Sequence, residues 1–365
     1  MASNSFGEIF RITTWGESHG KEIGVVIDGC PAGLEISEDE INVALIARAP
    51  GRTSYTSPRR EEDNAKILSG IFNKKTTGAP ICIVIKNSDA DSSKYESISN
   101  LLRPGHANFT YLEKYKIFDY RGGGRASARE TACRVAAGAV AKKLLYLQGI
   151  KTQAYLFQVG NIRTNVLKDS MIQNDSMTQK NSITQEVLMP EILTLLNDIK
   201  NAGDSIGGVV EFITTALPVG LGDPVYGKLP AKLASAMMSI PGAKGFEIGE
   251  GFNSADMLGS QYNDNFTKVN EDNDASNGAQ SNHCGGTLGG ISNGMPIYGK
   301  VAFKPTSSIA LVQNTLTTTG EAATLKLPEG SRHDPCIAIR SVPVVDAMLA
   351  IVLIDCLLLN KGAYL

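Results

Sequence analysis

The chain of 365 residues holds four histidines, each in a turn: His19 in GESHG (16–20), His106 in RPGHAN (103–108), His283 in SNHCGG (281–286) and His333 in SRHDPC (331–336). Imidazole changes charge near neutral pH, so such a residue can give or take a proton. Loops on a rigid scaffold are where such residues act, although a single turn histidine is as readily an ordinary surface residue. Metal binding is the competing use. No His-x-His or His-x-x-x-His pair occurs and no carboxylate cluster accompanies the histidines, so no metal site is expected.

Arginine has a skewed distribution. Of thirteen, ten lie at or before Arg134, and only Arg163, Arg332 and Arg340 follow. The planar guanidinium suits bidentate contact with carboxylate and phosphate, so the first third of the chain is expected to face a compact polyanion. Within it, DYRGGGRASARET (119–131) puts three glycines between Arg121 and Arg125, just ahead of a helical pattern. It is neither a Walker loop nor a G-x-G-x-x-G fingerprint. Ser127 and Glu130 have capping-box spacing, so one reading is a tight turn into a helix, with a positive φ at the central glycine. The other is a ligand seat, since a helix N-terminus attracts anions and glycines let a flat ring approach the backbone. The two are compatible. KPTSSI (304–309) offers an ammonium and three hydroxyls, a second candidate phosphate seat.

The elements that must position these residues follow from pattern. IGVVIDGCPAGLEISEDEINVALIA (23–47) and IGGVVEFITTALPVGLGDPVYGKLPAKLASAMM (206–238) each read as a β-branched strand, P-x-G-L, then a helix. TTGAPICIVIKN (76–87) parallels SNGMPIYGKVAFKP (292–305), and apolar helices are expected over 130–147 and 343–359, the second with Pro343 at its first position. Ser37 and Glu40 form a capping-box pair, and a helix is expected over 186–200. The pattern predicts an α/β (α+β) chain, a single domain over 1–365 made of two related halves, about 1–150 and 200–365. Polar insertions fall at 165–185 and 261–280.

Net charge is −2, which does not point to nucleic acid or a membrane surface. The apolar run 342–359 carries Asp346 and Asp355 and is expected to be a core helix. Six cysteines without CxxC spacing read as reduced thiols in a cytoplasmic protein.

GESHG, RREED, LSGIF, TTGAP, RPGHAN, DYRGGGRASARET, SIGG, SNHCGGTLGGIS, KPTSSI and RHDPC occur in the order seen in chorismate synthases, and the chain resembles that family along its whole length. The resemblance implies a large βαβ sandwich with internal pseudo-twofold duplication, assembled as a homotetramer. The implied reaction is 1,4-anti elimination of phosphate from 5-enolpyruvylshikimate 3-phosphate to give chorismate. It requires reduced FMN without net redox change, the flavin being reduced by an external NAD(P)H-dependent system. By family pattern, Arg125, Ala126, Ser127, Pro241, Gly242, Gly289, Lys304, Pro305, Thr306, Ser307, Ser308 and Arg332 would hold FMN. Arg48, Arg52, Arg103, Arg129 and Arg134 would hold the substrate. His19 would protonate the departing phosphate and His106 would stabilise the reduced flavin at N1. Asp334, with Ser18 and Ser127 as relays, would move the N5 proton. The chain departs from the family run R-R-R-P-G with Ala47-Arg48-Ala49-Pro50-Gly51, and has Ser54 where an arginine is usual, so Arg52 is expected to supply that charge. A flavin carrier without catalysis would explain the glycine turns but not the arginines. A phosphoryl transferase would want a metal-binding carboxylate set and a Walker lysine.

Overall fold

The computed structural model describes residues 3–49, 63–88, 92–164, 189–266, 279–328 and 334–363. The chain opens with β1 (Ser5–Phe6), β2 (Arg11–Gly16) and β3 (Glu22–Asp28), then helix α1 (Glu38–Arg48). β4 (Ala65–Ser69), a small hairpin of β5 (Ile71–Phe72) and β6 (Lys75–Thr76), and β7 (Ile81–Lys86) follow. Next come α2 (Asn108–Tyr115) and α3 (Thr131–Tyr146). The second part begins with β8 (Thr152–Val159), β9 (Ile162–Arg163) and α4 (Pro190–Asn201). It continues with β10 (Gly208–Ala216), α5 (Leu229–Met238), β11 (Ala243–Ile248) and the short α6 (Gly259–Tyr262). Two hairpins, β12 (Thr287–Leu288) with β13 (Ile291–Ser292) and β15 (Gln313–Leu316) with β16 (Ala322–Leu325), flank β14 (Pro296–Phe303). The last helix is α7 (Ala338–Asn360).

Two antiparallel sheets enclose the helices. Their orders are β1-β2-β3-β7-β4 and β9-β8-β10-β14-β11. With the first sheet go β2, β3, α1, β4, β7 and α3 in chain order, and with the second β8, β10, α5, β11, β14 and α7, while α2 and α4 stand outside this shared order. α3 packs on β3, β7 and α7, and α7 packs on β8 and β10. A helix apolar on every face has to be buried, and both central helices are. Their backbones come close at Gly138, where a Cβ would run into Ala347. Beside that contact, Lys142 on α3 donates to Asp346 on α7 at 2.5 Å, and the same carboxylate accepts from Thr152 Oγ1 at 2.6 Å.

Several boundaries follow the pattern and others do not. Ser37 and Glu40 close the capping box on α1. α7 begins at Ala338, so Pro343 lies inside the helix rather than at its first position. The ring removes one backbone bond near the start, while Ala338, Ile339, Ser341 and Val342 are all buried by continuing the helix. α4 starts at Pro190, whose missing N–H costs nothing there. Insertion 165–185 lies outside the described residues. Of 261–280, the ends carry α6 and a bridge between Phe266 and Ala279, and 267–278 lies outside them.

Candidate functional site

The site gathers where the C-terminus of α1, the N-termini of α3 and α7, and the loop after α5 meet. Arg48, the last residue of α1, is 1% exposed. Its Nη2 donates to Asp63 Oδ2 at 2.5 Å, and its Nη1 reaches Ala128 O at 3.4 Å. Asp63 stands just ahead of β4 in a left-handed backbone conformation (φ 47°), and its other carboxylate oxygen accepts from Arg129. Arg129 also donates to Asn87 Oδ1 at 2.7 Å and Lys86 O at 2.9 Å. One buried carboxylate thus spaces two guanidiniums from different elements. Burial pushes the Asp63 carboxyl up, but Arg48 and Arg129 outweigh it and hold it below the usual range. Burial lowers Arg48 to about 10, Asp63 working against it, so Arg48 is charged at neutral pH.

A narrow cleft opens beside this pair, lined by Arg48, Ala128, Thr131, Pro241, Arg340 and neighbouring apolar groups. Arg340 Nη1 donates to Asp334 Oδ2 at 2.7 Å. Among the described residues, Arg48 and Arg129 share Asp63 while Arg340 holds Asp334. Arg48 Nε is buried with no hydrogen-bond partner among the described residues. A buried donor of this kind asks for an acceptor, which no described residue supplies.

The loop carrying Arg103 and His106 belongs to the first part of the chain but is pinned to the second. Leu102 N–H donates to Leu316 O at 2.9 Å. Lys304 Nζ donates to Gly105 O at 3.0 Å, Ser307 Oγ donates to the same carbonyl at 2.6 Å, and Lys304 is bonded to Ser307. Lys304 N–H in turn donates to Gly242 O at 3.0 Å. Burial, then Arg103 and Lys304, push His106 down to about 3, so it is neutral at pH 7. Its Nδ1 accepts Asn108 N–H at 3.3 Å, which places the ring proton on Nε2.

Arg103 Nη2 donates to Gly122 O at 2.5 Å and its guanidinium lies over Tyr95. Gly122 (φ 69°) presses on the next pair: a Cβ there would stand 2.7 Å from His19 Nε2 and 2.9 Å from Ser18 Oγ. His19 Nδ1 is 3.1 Å from Ser92 Oγ. Among the three glycines the positive φ values belong to Gly122 and Gly124, whereas Gly123 sits at −110°, which corrects the expectation for the central one. Ser127 caps a 3-10 turn by accepting Arg129 N–H at 3.3 Å, and Glu130 turns to Arg134 instead of closing a capping box.

The remaining candidates are placed unevenly. The Arg125 side chain is engaged by Gly16 O, Thr14 and Asn4, so a ligand would meet Arg125 and Ala126 through the backbone. Arg134 donates to Glu130, Ser239 Oγ (2.6 Å) and Ser239 O (3.1 Å), holding the turn ahead of Pro241. Thr306 Oγ1 donates to Asp334 O at 2.9 Å; Pro305 is exposed and Ser308 half-buried. Gly289 stands in the β12–β13 turn, where Gly290 O accepts Leu229 N–H at the start of α5, the end opposite Pro241. His283 pairs with Glu250 at 3.2 Å. Arg52, Ser54, Arg332 and His333 lie outside the described residues. Asp63 and Arg340 had no role assigned from sequence. The available signals were an acid closing a basic run and a lone cation in an apolar one, which must find a partner once buried.

Similarity to known proteins extends along almost the whole chain. Residues 10–358 match the family model described as chorismate synthase. A chorismate synthase of Protochlamydia amoebophila (strain UWE25) is 54% identical over 366 residues, covering 99% of each chain. A crystal structure of chorismate synthase superposes with a TM-score of 0.73 at 33% identity, covering 98% of this chain and 94% of that one.

Proposed function

Since the chain belongs to the chorismate synthase family and is a lyase, we propose that it eliminates phosphate, 1,4-anti, from 5-enolpyruvylshikimate 3-phosphate to give chorismate, with reduced FMN required. The observation that carries this reading is the cleft, where a buried Arg48 donor has no partner among the described residues. A substrate with one phosphate and two carboxylates supplies the missing acceptors.

The residues present fit a flavin phosphate and a flat ring. Gly124 (φ 51°) would meet nothing within 4 Å with a Cβ added, so the turn offers open, side-chain-free backbone. Lys304 and Ser307 offer a cation and a hydroxyl at the other wall. We assign the cofactor to Arg125 to Ser127, Pro241–Gly242, Lys304 to Ser308, Gly289 and Arg332. When bound, reduced flavin supplies electron density transiently and recovers it, so no net redox change results. Arg48, Arg52, Arg103, Arg129 and Arg134 orient the substrate anions, Arg134 also steadying the wall at Ser239. His19 protonates the departing phosphate. His106, with its ring proton on Nε2, would stabilise the reduced flavin at N1. Asp334, with Ser18 and Ser127 as relays, would help to move the N5 proton.

The flavin is reduced by an external NAD(P)H-dependent system and the enzyme works as a cytoplasmic homotetramer, on a small molecule and without nucleic acid or membrane. Six free thiols, four of them in the core, support a reducing compartment. Anaerobic phosphate release from 5-enolpyruvylshikimate 3-phosphate, with and without reduced FMN, tests the reading. Release only with reduced FMN is expected; release without it, or none at all, overturns the proposal.

A further inference from the structure

We propose that Arg340 is a positioning residue that braces the cleft across the two sheets, holding the Asp334 carboxylate and the end of α1 at Arg48. The inference rests on reading Asp334 as a proton-handling group. Arg340 is the third residue of α7. Its Nη1 donates to Asp334 Oδ2 at 2.7 Å, and its Nε donates to the backbone carbonyl of Arg48 at 3.3 Å, 292 residues away in sequence. That carbonyl belongs to the last turn of α1, where helix carbonyls lack partners within the helix. A cation is favoured at such an end. One planar fork therefore satisfies a helix terminus from the first part of the chain and a carboxylate from the second. The surroundings leave it little freedom: Ile339, Ser341 and Val342 are buried, and Arg340 lines the cleft beside Arg48, Ala128 and Pro241. Asp334 is itself 8% exposed, and its carbonyl accepts from Thr306 of the KPTSSI run, so a shift of Arg340 would be felt on both walls.

A lysine keeps the charge but not the fork, because an ammonium is a point donor. The role therefore predicts that lysine does not rescue. Anaerobic turnover with chemically reduced FMN gives kcat and KM for wild type, Arg340→Lys, Arg340→Ala, Asp334→Asn and the two double variants. Both Arg340 variants should lower kcat by about 10- to 100-fold, the range for disturbing a proton-transfer group, with KM within about threefold. On the Asp334→Asn background either change should cost less than about threefold more, because groups acting as a unit are not additive. The melting temperature of Arg340→Lys should stay close to wild type. If Arg340→Ala does not fold, the lysine variant completes the same cycle. Losses that multiply in the double variants, wild-type kcat in Arg340→Lys, or a raised KM at unchanged kcat would each overturn the inference while leaving Asp334 in place. Wild-type turnover in Asp334→Asn would remove the reading of Asp334 and the inference together.

Discussion

His106 is held neutral by burial and by the neighbouring charges of Arg103 and Lys304. Its folded pKa, about 3, lies below the 6.5 of the free side chain. Between those values the unfolded chain binds more protons, so stability rises with pH and falls on acidification from about 6.5. His106→Gln should flatten that part of the curve of melting temperature against pH; parallel curves for the two proteins would refute the assignment. Turnover should drop by about 10- to 10³-fold in His106→Ala and in His19→Ala, as for loss of one acid–base group. Near-normal rates in both would remove their roles. Arg48→Ala takes away the unpartnered donor and half of the Asp63 fork. Substrate affinity should weaken by ~2–4 kcal/mol, with much less effect on flavin. Equal losses, read by calorimetric titration of each ligand, would place Arg48 at the cofactor instead.

The glycine turn is the element on which both proposed sets of ligand contacts depend. Gly122 and Gly124 share a left-handed backbone, so alanine at either should cost ~1–2 kcal/mol of stability. They differ in surroundings. A Cβ at Gly122 enters the space of His19 and Ser18, and one at Gly124 enters open space. Gly122→Ala is expected to lose turnover well beyond its loss of stability. Gly124→Ala is expected to lose the thermal shift produced by flavin plus substrate, and turnover with it. A Gly124→Ala protein with the full ligand-induced shift would mean that the turn serves only to feed the chain into α3.

We propose that the whole chain is one domain of two related halves, with α3 and α7 in close contact between the two five-stranded sheets. A core shared between the sheets should melt in a single step. Gly138→Val forces atoms against Ala347 at the centre of that core, and overpacking of this kind costs about 1–3 kcal/mol. Calorimetry should show one transition, moved to lower temperature in the variant. Two transitions, with only one of them moved, would mean that the halves fold separately.

Local free energies can be read from sequence, and they account for what was legible. β-branched runs marked the strands at 23–28, 81–86, 208–216 and 296–303, Ser37 and Glu40 marked the start of α1, and an apolar run marked α7 as a core helix. Family motifs gave the proposed roles of His19, His106 and the arginines. The start of α7 was misplaced because proline statistics are local, whereas burial of 338–342 is decided by the opposing elements. Ser127 and Glu130 had the spacing of a capping box, yet Glu130 found Arg134 one helical turn on. Asp63 joining Arg48 to Arg129, and Arg340 joining Arg48 to Asp334, depend on how the two sheets clasp α3 and α7. Residue types could show how many guanidiniums need an anion. Which of them receives a carboxylate from the protein, and which is left waiting for a ligand, is set by distances that exist only once the chain has folded.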